Sequence, residues 1–247
     1  MIHYHGTPVG GKLEERARFL KGRHALVSIA YPDDIALVAD TCQSFILDNG
    51  AFTAWKSGTS TDWRRYYTWV ATWAGHPGFD FAIIPDVIDG DEKDNDRLLA
   101  EWPSDLNGVP VWHLHESIRR LYSLSQRYEK VAIGSSGEWS SPGSNHWWER
   151  MSAVMDDVCT AGVPPCQLHG LRMLNPKVFS RLPLTSADSV NASVNAGSLK
   201  RFGLYIPPSR SQRASVIADR IETFNSAPVW TGAGSGCEYD FDEFDQE

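Results

Sequence analysis

Short runs of apolar and β-branched residues recur along the chain, and each closes on a polar residue or a glycine. They cover residues 2–5, 25–30, 44–48, 79–85, 109–115, 130–134, 166–171 and 184–190. Runs of this length, bounded by turn-forming residues, read as strands. Helix-like stretches lie between them, at residues 13–21, 62–73, 91–102, 116–128, 145–161, 176–181 and 211–224. The second of these is aromatic on a helical period, and the third carries acids in its first turn, where the helix dipole favours them. Strands alternating with helices predict an α/β protein with a parallel sheet. Eight strands in about 225 residues suggest a single-domain (β/α)8 barrel of the TIM type over residues 1–230. A doubly wound open sheet is the alternative, because no Gly-x-Gly-x-x-Gly loop decides the matter.

In such a barrel, reactive residues gather where strands end. The predicted ends are rich in them: His3-Tyr4-His5-Gly6, Leu47-Asp48-Asn49-Gly50, Ile84-Pro85-Asp86, His113-Leu114-His115-Glu116, Gly134-Ser135-Ser136, Leu168-His169-Gly170 and Ser186-Ala187-Asp188. One mouth would collect three aspartates and several histidines. Two chemistries fit it. In the first, one carboxylate attacks a glycosidic carbon while another moves protons, which suits Asp188 and Asp48. In the second, His3 and His5 begin a metal site completed by Asp86, His113 or His115, His169 and Asp188. The second pattern resembles the amidohydrolase barrels, but Gly134-Ser135 stands where their strand-six histidine would be. A non-catalytic nucleic-acid-binding barrel is a third possibility.

Charge changes the picture once it is located. The net charge is −8, yet the last ten residues hold six acids and no Lys or Arg, leaving −2 for the rest. Residues 171–213 carry seven Lys and Arg against the single acid Asp188. A basic stretch within a mildly acidic body suits a phosphate-bearing ligand. The acidic residues 231–247 are expected to form a disordered tail. Hydrophobic residues make up 42% and charged residues 22%, an ordinary globular balance. No apolar run reaches 18 residues, and the N-terminus lacks the pattern of a signal peptide. The four cysteines form no C-x-x-C pair. A soluble, cytoplasmic protein without a membrane partner is expected.

The segment Phe45-Ile46-Leu47-Asp48-Asn49-Gly50-Ala51-Phe52 resembles the Asp-Ser-Gly-Gly-Phe region of the guanine transglycosylases. Ile84-Pro85-Asp86 resembles that family's base-reading aspartate, and Ala132 to Glu138 its Gly-rich strand-six loop. Leu168-His169-Gly170 is similar to its strand-seven Met-Gly, and Ser186 to Val190 to the strand of its nucleophile. The matches fall in the family's order over residues 45 to about 195. The chain looks most like short phage-type members that act on DNA. It has no Cys-rich zinc subdomain, and Asn191-Ala192-Ser193-Val194-Asn195 replaces the Pro-Thr-Arg segment after the nucleophile. Both departures fit a reduced enzyme for a nucleic acid other than tRNA.

The resemblance implies a base exchange in which guanine in DNA, or in tRNA as the alternative, gives way to a 7-deazaguanine base. Asp188 would be the nucleophile and Asp48 the general acid/base. Asp86 would read the guanine edge, with Phe52 on one face of the base and His169 on the other. The Gly134-Ser135 backbone and His113 would meet the O6 edge or the 7-substituent. Arg172, Lys200, Arg201, Arg210 and Arg213 are the candidates for phosphate contacts. No metal or other cofactor is implied. Trp63, Trp69 and Trp73 read as packing, whereas Trp55 and Trp139 lie nearer a ligand.

Overall fold

The computed structural model describes residues 1–232, and the fifteen residues beyond, with most of the acidic tail and Cys237, lie outside them. The fold is α/β, with a nine-stranded parallel sheet nearly closed into a TIM-like barrel. The strands are β1 (Ile2–Gly6), β2 (His24–Ser28), β3 (Ser44–Asp48), β4 (Phe79–Ile83), β5 (Gly108–Val109), β6 (Val111–His113), β7 (Lys130–Gly134), β8 (Gln167–Gly170) and β9 (Ser186–Ser189). They follow the order β5-β4-β3-β2-β1-β9-β8-β7-β6, and every pairing is parallel. The two strands at the sheet's ends, β5 and β6, are separated in sequence only by Pro110. Proline cannot donate to a ladder, but the Pro110 carbonyl accepts a 2.9 Å bond from Ala132 N.

Helices connect the strands: α1 (Leu13–Leu20), α2 (Ile35–Thr41), α3 (Ala51–Ser57), α4 (Trp63–Trp73), α5 (Glu92–Glu101), α6 (Ile118–Ser125), α7 (Asn145–Val158), α8 (Pro176–Phe179), α9 (Asn191–Asn195) and α10 (Arg210–Glu222). Asp62, Asp91, Ser117, Ser144, Asn175 and Ser209 cap six of them, each side chain accepting from an N–H of the first turn. The described residues contain no helix long and apolar enough to cross a membrane.

Alternation along the strands splits the core in two. Tyr4, Leu26, Ile46, Phe81, Ile83, Val109, Val111 and Ala132 point inward and fill the barrel. Ala25, Val27, Phe45, Leu47, Ala82, Ile84, Trp112, Leu114, Val131, Ile133, Leu168 and Ala187 point outward and pack beneath the helices. At the N-terminal end of the barrel, Tyr4 Oη donates to Asp80 Oδ2 at 2.6 Å, and Ser44 Oγ donates to the same oxygen. Desolvation first, then Asp80, raises the Tyr4 pKa and keeps the phenol neutral.

All eight strand runs are present, the fifth split at Pro110. Helices α2, α3 and α9 were not expected. They hold seven, seven and five residues, too few turns for a hydrophobic period to register.

Candidate active site

The period of two that fills the barrel also builds its mouth. Two residues beyond Leu26, Ile46, Val111, Ala132 and Ser186, the next inward positions are Ser28, Asp48, His113, Gly134 and Asp188. These five, with Asp86 and Phe52, line a cavity of about 710 Å³ at the C-terminal ends of the strands. That volume suits a small organic ligand.

Asp188 on β9 is 5% exposed, and both its oxygens accept hydrogen bonds. His169 Nε2 donates to Oδ2 at 3.0 Å, and the Arg172 backbone N–H donates to Oδ1 at 3.2 Å. The second ring nitrogen of His169 meets Ser186 Oγ at 2.8 Å. A carboxylate offers no proton, so the consistent assignment puts the imidazole proton on Nε2 and has Ser186 donate to Nδ1. Arg172 reaches Asp188 only because its backbone is left-handed, at φ +58°. That conformation is costly for a side chain other than glycine. Its guanidinium is anchored twice: Nη2 donates to the Ser135 carbonyl at 2.5 Å, and the group stacks 4.0 Å from the Phe52 ring centroid.

Asp48 closes β3 and remains partly open to the cavity. Gly50, at φ +72°, turns the chain into α3, and its N–H donates to Asp48 Oδ2 at 3.0 Å. Desolvation raises the Asp48 pKa from 3.8 to about 6, with the nearby Asp188 and Asp86 carboxylates adding to the rise. Hydrogen bonds from Ser28 and Gly50 oppose it. Asp86 is buried. Its Oδ1 accepts from Asn49 Nδ2 at 2.7 Å and its Oδ2 meets His113 Nε2 at 2.8 Å. Asn49 Nδ2 also donates to the Ile84 carbonyl at 2.9 Å, and its Oδ1 accepts from Ala51 N at 2.8 Å, so one side chain ties two strand ends together. Gly134 is needed here, because a Cβ at this position would lie 2.5 Å from His113 Nδ1.

The expected site residues therefore divide. Asp48, Asp86, Asp188, Phe52, Gly134, Ser135, Arg172 and Arg210 all line the cavity. His169 does not. It is fully buried beneath Asp188, so it cannot cover a face of a bound base and instead orients the carboxylate. His113 lines the cavity but offers it no nitrogen, since Nε2 holds Asp86 and Nδ1 is buried. It orients Asp86 rather than meeting an O6 edge. Arg172 covers Phe52 and bonds Ser135, so its guanidinium is committed within the protein and not presented to a phosphate.

Arg213 likewise donates to the carbonyls of Ala196, Pro207 and Pro208. Arg210 Nη2 bonds the Ser193 carbonyl at 3.0 Å. Lys200 is exposed, and Arg201 is partly exposed beside it. His115 bridges Ser136 Oγ and the Gly90 carbonyl. Glu116 is buried and bonds Asn95, Arg120 and the His113 N–H. Trp55 packs on Phe52 and Trp139 stacks on His146, and neither lines the cavity.

His3 and His5 face α10, away from the mouth. His3 Nε2 meets the Phe224 carbonyl at 3.0 Å, and His5 Nε2 meets Glu222 at 2.8 Å. Burial lowers the His3 pKa to about 4. Among the described residues, no group of three or more His, Cys, Asp or Glu side chains is placed to hold a metal ion.

Sequence reasoning missed Asn49, Ser28 and the Arg172–Phe52 stack. Asn49 had a signal, a polar residue directly before the glycine of a strand-to-helix turn. The stack had none, because residues 52 and 172 meet only in the closed barrel.

No family model, curated protein or solved structure matches the chain. What the fold and the site define is a TIM-like α/β barrel whose mouth holds three carboxylates in one cavity.

Proposed function

We propose that the protein is a DNA-guanine transglycosylase, exchanging guanine for a 7-deazaguanine base through a covalent Asp188–deoxyribose intermediate. One observation carries this reading. Asp48, with its pKa raised to about 6, shares a cavity with Asp188, whose two oxygens are already oriented. Two carboxyl groups in unlike environments can divide the work of acid and nucleophile.

In the first step an Asp188 oxygen bonds to C1′ and the glycosidic C–N bond breaks. Asp48 gives its proton to the departing guanine. In the second step Asp48 takes the N9 proton of the incoming base, whose nitrogen attacks C1′ and releases Asp188. The two inversions give net retention. Asp86, oriented by Asn49 and His113, faces the cavity as the acceptor for the N1–H and 2-amino groups that distinguish guanine from adenine. The Arg172 guanidinium, stacked on Phe52 in the cavity wall, offers a planar group on which a purine would stack. His169 and the Arg172 N–H hold the nucleophile in place. A base in a helix must leave the stack to be reached.

In this reading residues 108–113 count as one strand broken at Pro110. The fold is then a (β/α)8 barrel forming a single domain, without the zinc subdomain of the tRNA enzymes. The incoming base we favour is 7-cyano-7-deazaguanine, and the reaction needs no cofactor.

The test is to supply labelled 7-cyano-7-deazaguanine with guanine-containing DNA or with tRNA, using Asp188→Ala as control. Label entering DNA alone, and lost in the control, is expected. Label in tRNA alone would keep the chemistry and reject the DNA assignment. Label in neither would reject the exchange.

A further inference from the structure

Between Asp188 and Asp219 the chain carries Lys200, Arg201, Arg210 and Arg213 and no acid. Within that stretch four consecutive residues, Gly203-Leu204-Tyr205-Ile206, stand out from the surface. Leu204 is fully exposed and Tyr205 is 75% exposed. Large apolar side chains at the tip of a protrusion are unfavourable in water unless something receives them.

The tip is apolar, but its base is firmly built. Phe202 and Pro207, on either side of the protrusion, are both buried. Arg213 commits its guanidinium to the carbonyls of Pro207, Pro208 and Ala196. Arg220 Nη1 bonds the Arg201 carbonyl on the other side. Through Ala196 the protrusion is fastened to the end of α9, whose Ser193 and Val194 line the cavity. Arg210, four residues beyond the tip, lines it as well. The finger therefore rises from the rim of the candidate active site.

We propose that this finger is a wedge for double-stranded DNA. Leu204 and Tyr205 enter the base stack at the step vacated when the target nucleotide turns into the cavity, while the exposed Lys200 lies against the backbone phosphates. Apolar side chains used in this way unstack and kink a duplex. An aromatic ring among cations also suits exposed bases. A protein partner or a second copy of the chain fits less well. A stable protein interface buries about 800 Å² on each side, far more than a tip of three side chains supplies. The charged residues that flank it in sequence, Lys200, Arg201, Arg210 and Arg213, are also all basic. The inference rests on the DNA reading above, and it adds the form of DNA and the residues that open it.

The experiment uses the full chain and a duplex oligonucleotide with 2-aminopurine beside the target guanine. Binding is expected to raise the 2-aminopurine fluorescence severalfold as stacking is lost. The Leu204→Ser/Tyr205→Ser variant changes only exposed side chains. It should keep its thermal transition, lose most of the fluorescence rise, and exchange guanine in duplex DNA about 10-fold or more slowly than in single strands of the same sequence. No fluorescence rise with the parent protein, or an equal rise with the variant, would overturn the wedge.

The two readings fail separately. Guanine exchange without unstacking would reject the wedge and keep the transglycosylase. Unstacking that needs Leu204 and Tyr205, without any exchange, would keep the wedge and reject the transglycosylase. Loss of a dimer in sedimentation, with unstacking unchanged in the variant, would reassign the finger to self-association and overturn the proposal.

Discussion

Replacing Asp48 by asparagine should make the protein more stable while abolishing its chemistry. Desolvation, reinforced by Asp188 and Asp86, raises this carboxyl from 3.8 to about 6. A group whose pKa is higher in the folded state binds its proton more tightly there. Its contribution is therefore fully present below about pH 4 and is lost as the pH rises through about 6. At about 1.4 kcal/mol for each tenfold change, the rise corresponds to about 3 kcal/mol. Asp48 stays partly open to water in the cavity, so a penalty of about 1–3 kcal/mol at neutral pH is the reasonable range.

Asparagine has nearly the same shape, carries no charge, and its Oδ1 can accept the 3.0 Å bond from Gly50 N. Urea unfolding of Asp48→Asn at pH 7.5 should give a free energy about 1–3 kcal/mol above that of the parent. The advantage should shrink toward zero between pH 6 and pH 4, and guanine exchange should be absent throughout. Taking the difference between the two proteins cancels the groups they share. Equal stability at pH 7.5, or an advantage that does not change with pH, would refute the burial argument and with it the acid role of Asp48.

Other outcomes follow from the same contacts. Asp188→Ala should abolish base release in single-turnover assays, leaving DNA binding in gel shifts within about threefold, because phosphate contacts dominate affinity. His169→Gln should lower kcat by about 10- to 100-fold with little change in KM, the loss of one hydrogen bond to a charged group. A rise in KM alone would place His169 against the substrate instead. Gly134→Ala puts a Cβ 2.5 Å from His113 Nδ1. The ring must retreat and strain its bond to Asp86, costing about 1–3 kcal/mol in thermal unfolding and roughly 100-fold in exchange. Single-turnover guanine release should slow as the pH rises through about 6, where Asp48 loses the proton it must give, and a flat profile would exclude it as the acid.

The strands were legible because their signal is local. Each is a short apolar run bounded by turn-forming residues, and the alternation that buries Ile46 inside and Leu47 outside also delivers Asp48 to the mouth. The same period brings Asp188 up beside it from the other end of the chain. What the period cannot tell is which polar residues at the mouth face the ligand. His3, His5, His115 and His169 all looked like mouth residues from their position at strand ends. His3 and His5 fall on the outward side of β1 and are taken by Phe224 and Glu222, contacts more than 200 residues away in sequence. His169 points inward but sits one layer too low. The basic residues misled for a related reason. Arg172 spends donors on the Ser135 carbonyl and Arg213 on those of Ala196, Pro207 and Pro208, and charge counted along the chain cannot distinguish a structural guanidinium from one left for a phosphate.

The proposed exchange requires a covalent bond between Asp188 and a deoxyribose. The most direct measurement mixes the protein with an end-labelled, guanine-containing duplex and separates the products under denaturing conditions. A labelled band at the mass of protein plus DNA is expected. It should disappear when excess free guanine is added, because the returning base reverses the step, and it should be absent with Asp188→Ala. No such band with the parent protein, or a band that persists in Asp188→Ala, would contradict the account.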